Sequence, residues 1–190
     1  MRRRLLWAAA LLLLALGSWQ VAAAGWIHAK AILAQKLIAS SWAQARDGGV
    51  SRRPWPGADM RPIARLIVPS RRVELYVLAG ASGRSLAFGP GHVSGTARPG
   101  SWGNVVIVAH RDTHFAFLRD VGLDEEILLE SGKAAPARYR VREVTVVDQG
   151  EARMMDAADA AQLTLITCYP FDAVRPGTTL RYVVIAERIA

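Results

Sequence analysis

The sequence predicts an all-β domain, a barrel or a sandwich, preceded by an N-terminal transmembrane helix. Residues 63–190 contain seven short runs rich in Val, Ile, Leu and Tyr, each bounded by Gly, Pro, Ser, Asp or a charged turn. Only two short stretches between them look helical, too little to cover a parallel sheet. Ahead of them, Leu5 to Gly25 form an apolar run of 21 residues without a charge.

That run follows Arg2, Arg3 and Arg4. At the rise of an α-helix it spans about 30 Å, the thickness of a bilayer core. A cleaved signal peptide is the competing reading, because small residues (Ala22, Ala23, Ala24) follow the apolar stretch. The length of the run and the helical spacing of Ile27, Ala31, Ala34, Ile38 and Trp42 beyond it favour an uncleaved anchor. Residues 1–46 are therefore expected to form a membrane anchor and helical extension. Arg2, Arg3, Arg4 and the terminal amine precede the span, and Lys30 and Lys36 follow it, which favours an inside N-terminus and an outside domain.

Residues 47–62, from DGGVSRRPWPGADMRP, have no apolar period and read as a linker. Strands are then expected at 64–69, 72–78, 104–110, 126–130, 137–148, 163–168 and 180–188, with helical stretches at 115–122 and 154–162. In the run 137–148, Tyr139 and Val141 alternate with Arg138, Arg140 and Arg142. The phase then slips by one before Val144 and Val146, where a β-bulge is expected.

The net charge of +8 is unevenly distributed: residues 1–53 carry eight basic side chains and one acid, and the remainder 16 basic and 15 acidic. The basicity belongs to the N-terminal segment and the domain is nearly neutral, which argues against a nucleic-acid partner. One cysteine, Cys168, cannot make an internal disulfide, and in an exported domain an unpaired thiol is either a reactive group or an intermolecular bridge.

Cys168 ends the run TLITC, and His110 ends NVVIVAH. Strand ends hold side chains rigidly while facing loop-lined clefts. A reactive cysteine needs a cation or base beside it. Of the other histidines, His28 lies at the membrane edge, while His92 and His114 fall in loop-like sequence. Arg181 interrupts the apolar run LRYVVIAER. Taken singly, Cys168 fits a buried structural thiol as well as a nucleophile, and His110 and Arg181 fit solvent-facing residues. The order, His110 before Cys168 by 58 residues, excludes a papain-like arrangement. The four histidines, the cysteine and the acids Glu151, Asp156 and Asp159 show no metal-ligand spacing, so no metal or other cofactor is expected.

Together, "AHRDTHFAFL", "TLITCYPF" and "LRYVV" resemble the sortases, membrane-anchored cysteine transpeptidases. The stretches "LAGASGRSLAFGPGHV" and "TCYPFDAVRPG" are similar to the class found in Gram-negative bacteria, class GN. The likeness covers about residues 62–188; Ala109 departs from the glycine that many members have before the histidine. It implies a closed β-barrel of about seven to eight strands with short helices over residues 63–190. It also implies Cys168, His110 and Arg181 as the catalytic set, and Thr167 and His92 near the substrate.

The reaction so implied is attack of the Cys168 thiolate on a C-terminal sorting signal resembling Leu-Pro-x-Thr-Gly in an exported protein. His110 protonates the leaving amine, and the thioester passes to an amine acceptor whose identity the sequence does not give. The expected location is the inner membrane, single-pass, with the domain in the periplasm. Two rival readings stay open at this stage. One is an anchored cysteine protease using water as acceptor, and the other a non-enzymatic barrel scaffold in which Cys168 is inert.

Overall fold

The computed structural model describes residues 2–46, 52–175 and 177–189. Its contacts divide into two compact units, Met1–Lys36 and Leu37–Ala190. The first is part of helix α1 (Arg2–Arg46), whose Ala- and Leu-rich sequence has high helix propensity. Large apolar side chains lie exposed along it, among them Leu6, Trp7, Leu11, Leu12, Leu13 and Leu14. Among the described residues no helix is long and apolar enough to cross a membrane. Of the span expected from the sequence, the side chains of Leu5, Ala8, Ala9, Ala10 and Ala24 lie outside the described set, as do residues 47–51 of the expected linker. The finding is thus a helix with a long exposed apolar surface, and the transmembrane assignment is not part of it.

The second unit is the barrel. Eight strands, β1 (Pro62–Val68), β2 (Val73–Ala79), β3 (Gly91–His92), β4 (Asn104–Val108), β5 (Glu126–Glu130), β6 (Ala137–Asp148), β7 (Gln162–Tyr169) and β8 (Leu180–Ile189), close in the order β1-β2-β3-β4-β7-β8-β6-β5. Closure removes the free strand edges that an open sheet would expose. Each of the seven expected runs contains a strand. The eighth, β3, is only two residues long, too short to show a period in the sequence.

Alternation sorts the side chains. Ala64, Leu66 and Val68 of β1, Ile127 and Leu129 of β5, and Ala137, Tyr139 and Val141 of β6 point into a common core with Val105, Ile107, Leu163, Leu165, Val184 and Ala186. The expected bulge lies between Val141 and Glu143, where the register with β8 shifts; Val144 then packs back against the core. Within this apolar set the Tyr139 hydroxyl is buried and has no hydrogen-bond partner among the described residues.

The last turns of α1 belong to this unit. Ile38 is fully buried with Met60 and Leu78, flanked by Trp55, Tyr76 and Phe88, and Ser41 Oγ donates to the Arg52 carbonyl at 2.6 Å. Residues 52–61 are irregular, yet Ala58 and Met60 are buried, so this stretch is packed down.

Neither expected helical stretch forms an α-helix. Ala116–Asp120 is a 3-10 turn. So is Ala152–Met155, and no regular structure follows before β7. The second departure has a visible cause: Asn104 Nδ2 donates to the carbonyls of Met154 and Asp156, each at 3.1 Å. A side chain from β4 takes acceptors that a continuing helix would use. A short helix α2 (Gly83–Leu86), capped by Ser82 Oγ accepting from Ser85 N at 3.3 Å, was not apparent in the sequence.

Candidate active site

Three neighbouring strands, β4, β7 and β8, bring distant residues to one outer face. In β4, Val105 and Ile107 face the core, as does Ala109 just beyond its end, so Asn104, Val106, Val108 and His110 face outward. In β7, Leu163 and Leu165 face inward, leaving Thr164, Ile166 and Cys168 outside. In β8, Val184 and Ala186 face inward and Arg181, Val183 and Ile185 outward. β4 and β7 run parallel with Val108 level with Ile166. Ala109 N donates to the Ile166 carbonyl at 3.3 Å, and the same register continued two residues past the end of the ladder sets His110 beside Cys168. Across the antiparallel pair, Cys168 lies directly opposite Arg181. By register the three residues therefore fall in a row on one face, although 71 residues separate the first from the last.

The row is fixed from behind. Thr167, 2% exposed, donates Oγ1 to the Ala109 carbonyl at 2.7 Å, tying the two strands together one residue before Cys168 and His110. Phe115, fully buried, donates its backbone N–H to the His110 carbonyl at 3.0 Å. Cys168 is a free thiol, half-buried.

Arg181 is held by three acceptors: Thr178 O at 2.7 Å and Leu180 O at 2.9 Å from Nη1, and Gln149 Oε1 at 2.8 Å from Nη2. A guanidinium has five N–H donors, so among the described residues Nε–H and one Nη2–H are without an acceptor. Next to the row lies a cavity of about 300 Å³. Its apolar lining comes from Val108, Val147, Ile166 and Val183 of the strands and from Met154 and Met155, and its polar lining from Arg181, Gln149, Asp148 and Glu151. The Met154 segment is set by buried polar contacts: Asn104 carries it, and Thr164 Oγ1 donates to Asn104 Oδ1 at 2.7 Å.

His92 is not brought to this row. It pairs with Ile107, a core-facing residue, and so lies on the inner side of the sheet. Its ring is 8% exposed, donates Nε2 to the Ala97 carbonyl at 2.8 Å, and lines a different cavity with Trp42, Ser94 and Ser131. Thr167 adjoins the site as expected from its place beside Cys168, though as an internal tie.

His114 does approach His110. Burial holds its imidazole below the usual histidine range; a hydrogen bond to the Ala87 backbone opposes the shift, and the proximity of His110 adds to it. Among the described residues no three His, Cys, Asp or Glu side chains gather as a metal site. Asn104, Arg111 and Gln149 take part in the surroundings of the row, and no spacing in the sequence marked them. Arg111 alone had a visible position, next to His110.

Comparison with known proteins agrees with this geometry. Residues 66–189 match the sortase domain family. Sortase D of Bacillus subtilis (strain 168) is 27% identical over 127 residues, covering 65% of this chain and 62% of the relative, so the chain spans less than two thirds of that relative's length. Among solved structures, sortase A from Corynebacterium diphtheriae superposes with a TM-score of 0.63 at 28% identity, covering 70% of this chain and 63% of that one. Sortase C-1 from Actinomyces oris gives 0.60 at 27% identity, covering 68% and 75%. The Clostridium perfringens sortase D5 transpeptidase shares the fold at 20% identity, with a TM-score of 0.66 and 83% and 99% of the two chains covered. With the family match running from β1 to the end of β8, over the strands that carry His110, Cys168 and Arg181, the chain belongs to the sortase family.

Proposed function

We propose that this protein is a cysteine transpeptidase that cleaves a C-terminal sorting signal resembling Leu-Pro-x-Thr-Gly and joins the shortened protein to an amine. The observation that carries the reading is the register that sets His110, Cys168 and Arg181 in a row beside a cavity with an apolar lining. That lining suits an aliphatic side chain upstream of the scissile bond.

In the first half-reaction the Cys168 thiolate attacks the carbonyl carbon between threonine and glycine. The C–N bond breaks, His110 supplies a proton to the departing amine, and a thioester remains. In the second, His110 takes a proton from the incoming amine, the C–S bond breaks and a new amide forms. A guanidinium donates hydrogen bonds and accepts none, so the task of Arg181 is to hold the developing oxyanion or the substrate backbone through the two N–H groups that no described residue engages. Within this reading α1 anchors the enzyme in the inner membrane with the barrel in the periplasm. The uncharged run Leu5 to Gly25 and the exposed apolar side chains of α1 support this. The assignment to the class of Gram-negative bacteria rests on the loop motifs around His92 and Cys168.

The test is incubation of the full-length protein with a sorting-signal peptide and a panel of amines, read by mass spectrometry. A thioester adduct on Cys168, absent in Cys168→Ala, and a new amide with at least one amine are expected. Hydrolysis without amide product from any amine would assign a protease, and a thiol inert to a small alkylating reagent would assign a scaffold. Arg181→Lys is expected to lower turnover at least tenfold, about 1.4 kcal/mol of transition-state stabilisation. Membrane anchoring is checked by fractionation: release of the protein by high salt or alkali would refute it.

A further inference from the structure

The segment joining β7 to β8 separates Cys168 from Arg181, and its described residues, 170–175 and 177–179, have no regular structure. A segment without a ladder of its own takes its position from the groups that bind it. Arg111, the residue after His110, binds it at three points. Its Nη1 donates to Thr178 Oγ1 at 3.2 Å, and its Nη2 to the carbonyls of Ala173 at 2.8 Å and Arg175 at 3.4 Å. Thr178 is bound from both sides, because its carbonyl accepts from Arg181 Nη1 at 2.7 Å. On the other flank the Gln149 backbone N–H donates to Thr179 O at 2.7 Å while its side chain accepts from Arg181 Nη2.

The geometry points to Arg111 as a positioning residue for the reaction: it clamps the segment between β7 and β8 and, through Thr178, sets the orientation of the Arg181 guanidinium beside Cys168. This rests on the transpeptidase reading above. A fork-shaped guanidinium can engage Oγ1 of one residue and two main-chain carbonyls at once, and a lysine ammonium at the same place cannot span them in a fixed plane. Because Arg111 follows His110 directly, the clamp also couples the histidine's backbone to the strand carrying Arg181. Displacement of a catalytic group by about 1 Å is enough to cost on the order of a hundredfold in rate.

The experiment is a double-mutant cycle on the full-length chain, with Arg111→Ala, Arg181→Ala and the double variant, read by two rates. One is single-turnover formation of the Cys168 thioester with a sorting-signal peptide. The other is alkylation of Cys168 by iodoacetamide as a function of pH, which needs no sorting signal. Arg111→Ala is expected to slow acylation by about tenfold to a hundredfold with KM changed less than threefold. It should have little further effect once Arg181 is alanine, since residues acting through one another are non-additive. It should also shift the alkylation profile in the same direction as Arg181→Ala. Thr178→Val, which removes only the Oγ1 acceptor, is expected to lose part of the rate and Thr178→Ser to recover it; these two carry the test if Arg111→Ala does not fold. Wild-type acylation with an additive Arg111→Ala effect, or with none, overturns the inference while leaving the transpeptidase reading intact. Absence of a thioester in the wild type overturns that reading. The alkylation cycle then still decides whether Arg111 acts through Arg181: a profile unchanged in Arg111→Ala rejects the coupling.

Discussion

Replacing Glu125 by glutamine should weaken the fold at neutral pH and hardly at all in strong acid. The carboxylate accepts Arg71 Nε at 2.8 Å and Nη2 at 3.1 Å, Gly122 N at 3.1 Å, and the Ser70 hydroxyl. Arg71 also donates to the Asp120 carbonyl. This junction ties the turn after β1 to residues 120–125, which follow the segment packed beneath His110. Its bonds to Arg71, strongest among the causes and opposed by burial, hold the Glu125 carboxyl at about 2 against an ordinary 4.5. At 1.36 kcal/mol per pH unit that gap corresponds to an upper limit of about 3 kcal/mol. The Glu125 side chain is 11% exposed but Arg71 is 32% exposed, so solvent screening reduces the figure to about 1.5 kcal/mol.

The folded pKa lies below the unfolded one. The contribution is therefore complete above about pH 4.5 and disappears as pH falls through about 2. Urea melts of wild type and Glu125→Gln at pH 7, 4 and 3 measure it directly. We expect a difference of about 1.5 kcal/mol at pH 7, equivalent to about 3–6 °C in Tm for a chain of this size, narrowing steadily below pH 4.5. A gap under 0.5 kcal/mol at pH 7, or one that stays constant down to pH 3, would refute the reasoning.

Three further outcomes follow from single contacts. Thr167→Val removes the buried donor to Ala109 O and should cost about 1–2 kcal/mol in a urea melt and slow acylation, with Thr167→Ser close to wild type; equal stability of the valine variant would remove the tie from the account. Tyr139→Phe deletes a buried hydroxyl that has no partner among the described residues and should leave the barrel unchanged or more stable by about 1 kcal/mol; a clear loss of stability would mean that the hydroxyl is satisfied. His114 has its folded pKa below the ordinary 6.5, so its stabilising contribution is present above about pH 6.5 and lost as pH falls. The Tm of wild type should accordingly drop more steeply between pH 7.5 and 5.5 than that of His114→Gln, and identical slopes would discard the assignment.

Seven of the eight strands were legible because each is a short run rich in Val, Ile, Leu and Tyr that ends in turn chemistry. The bulge in β6 was legible because that run alternates: Tyr139, Val141 and Val144 record the slip in their own order. β3 was not, because Gly91 and His92 are too few to carry a period, and the stretch 154–162 was misread as helix because its alanines favour one locally. What overrides them is Asn104, 50 residues earlier in the chain, and no local rule contains that contact. The site divides the same way. His110, Cys168 and Arg181 stood out as polar residues at or within apolar runs, and the likeness to the sortases joined them as a set, whereas Gln149 and Arg111 act through loop carbonyls and side chains whose meeting depends on barrel closure. His92 shows the converse: a histidine in a suggestive motif whose strand pairing turns it inward.

β8 lies between β6 and β7 in the closed barrel. Since Arg181 sits on it, His110, Cys168 and Arg181 share a face only once this strand has docked. Before that, Cys168 on β7 lacks its cationic neighbour. Within the transpeptidase reading, acylation thus doubles as a report on complete assembly: its onset during refolding should track the insertion of β8.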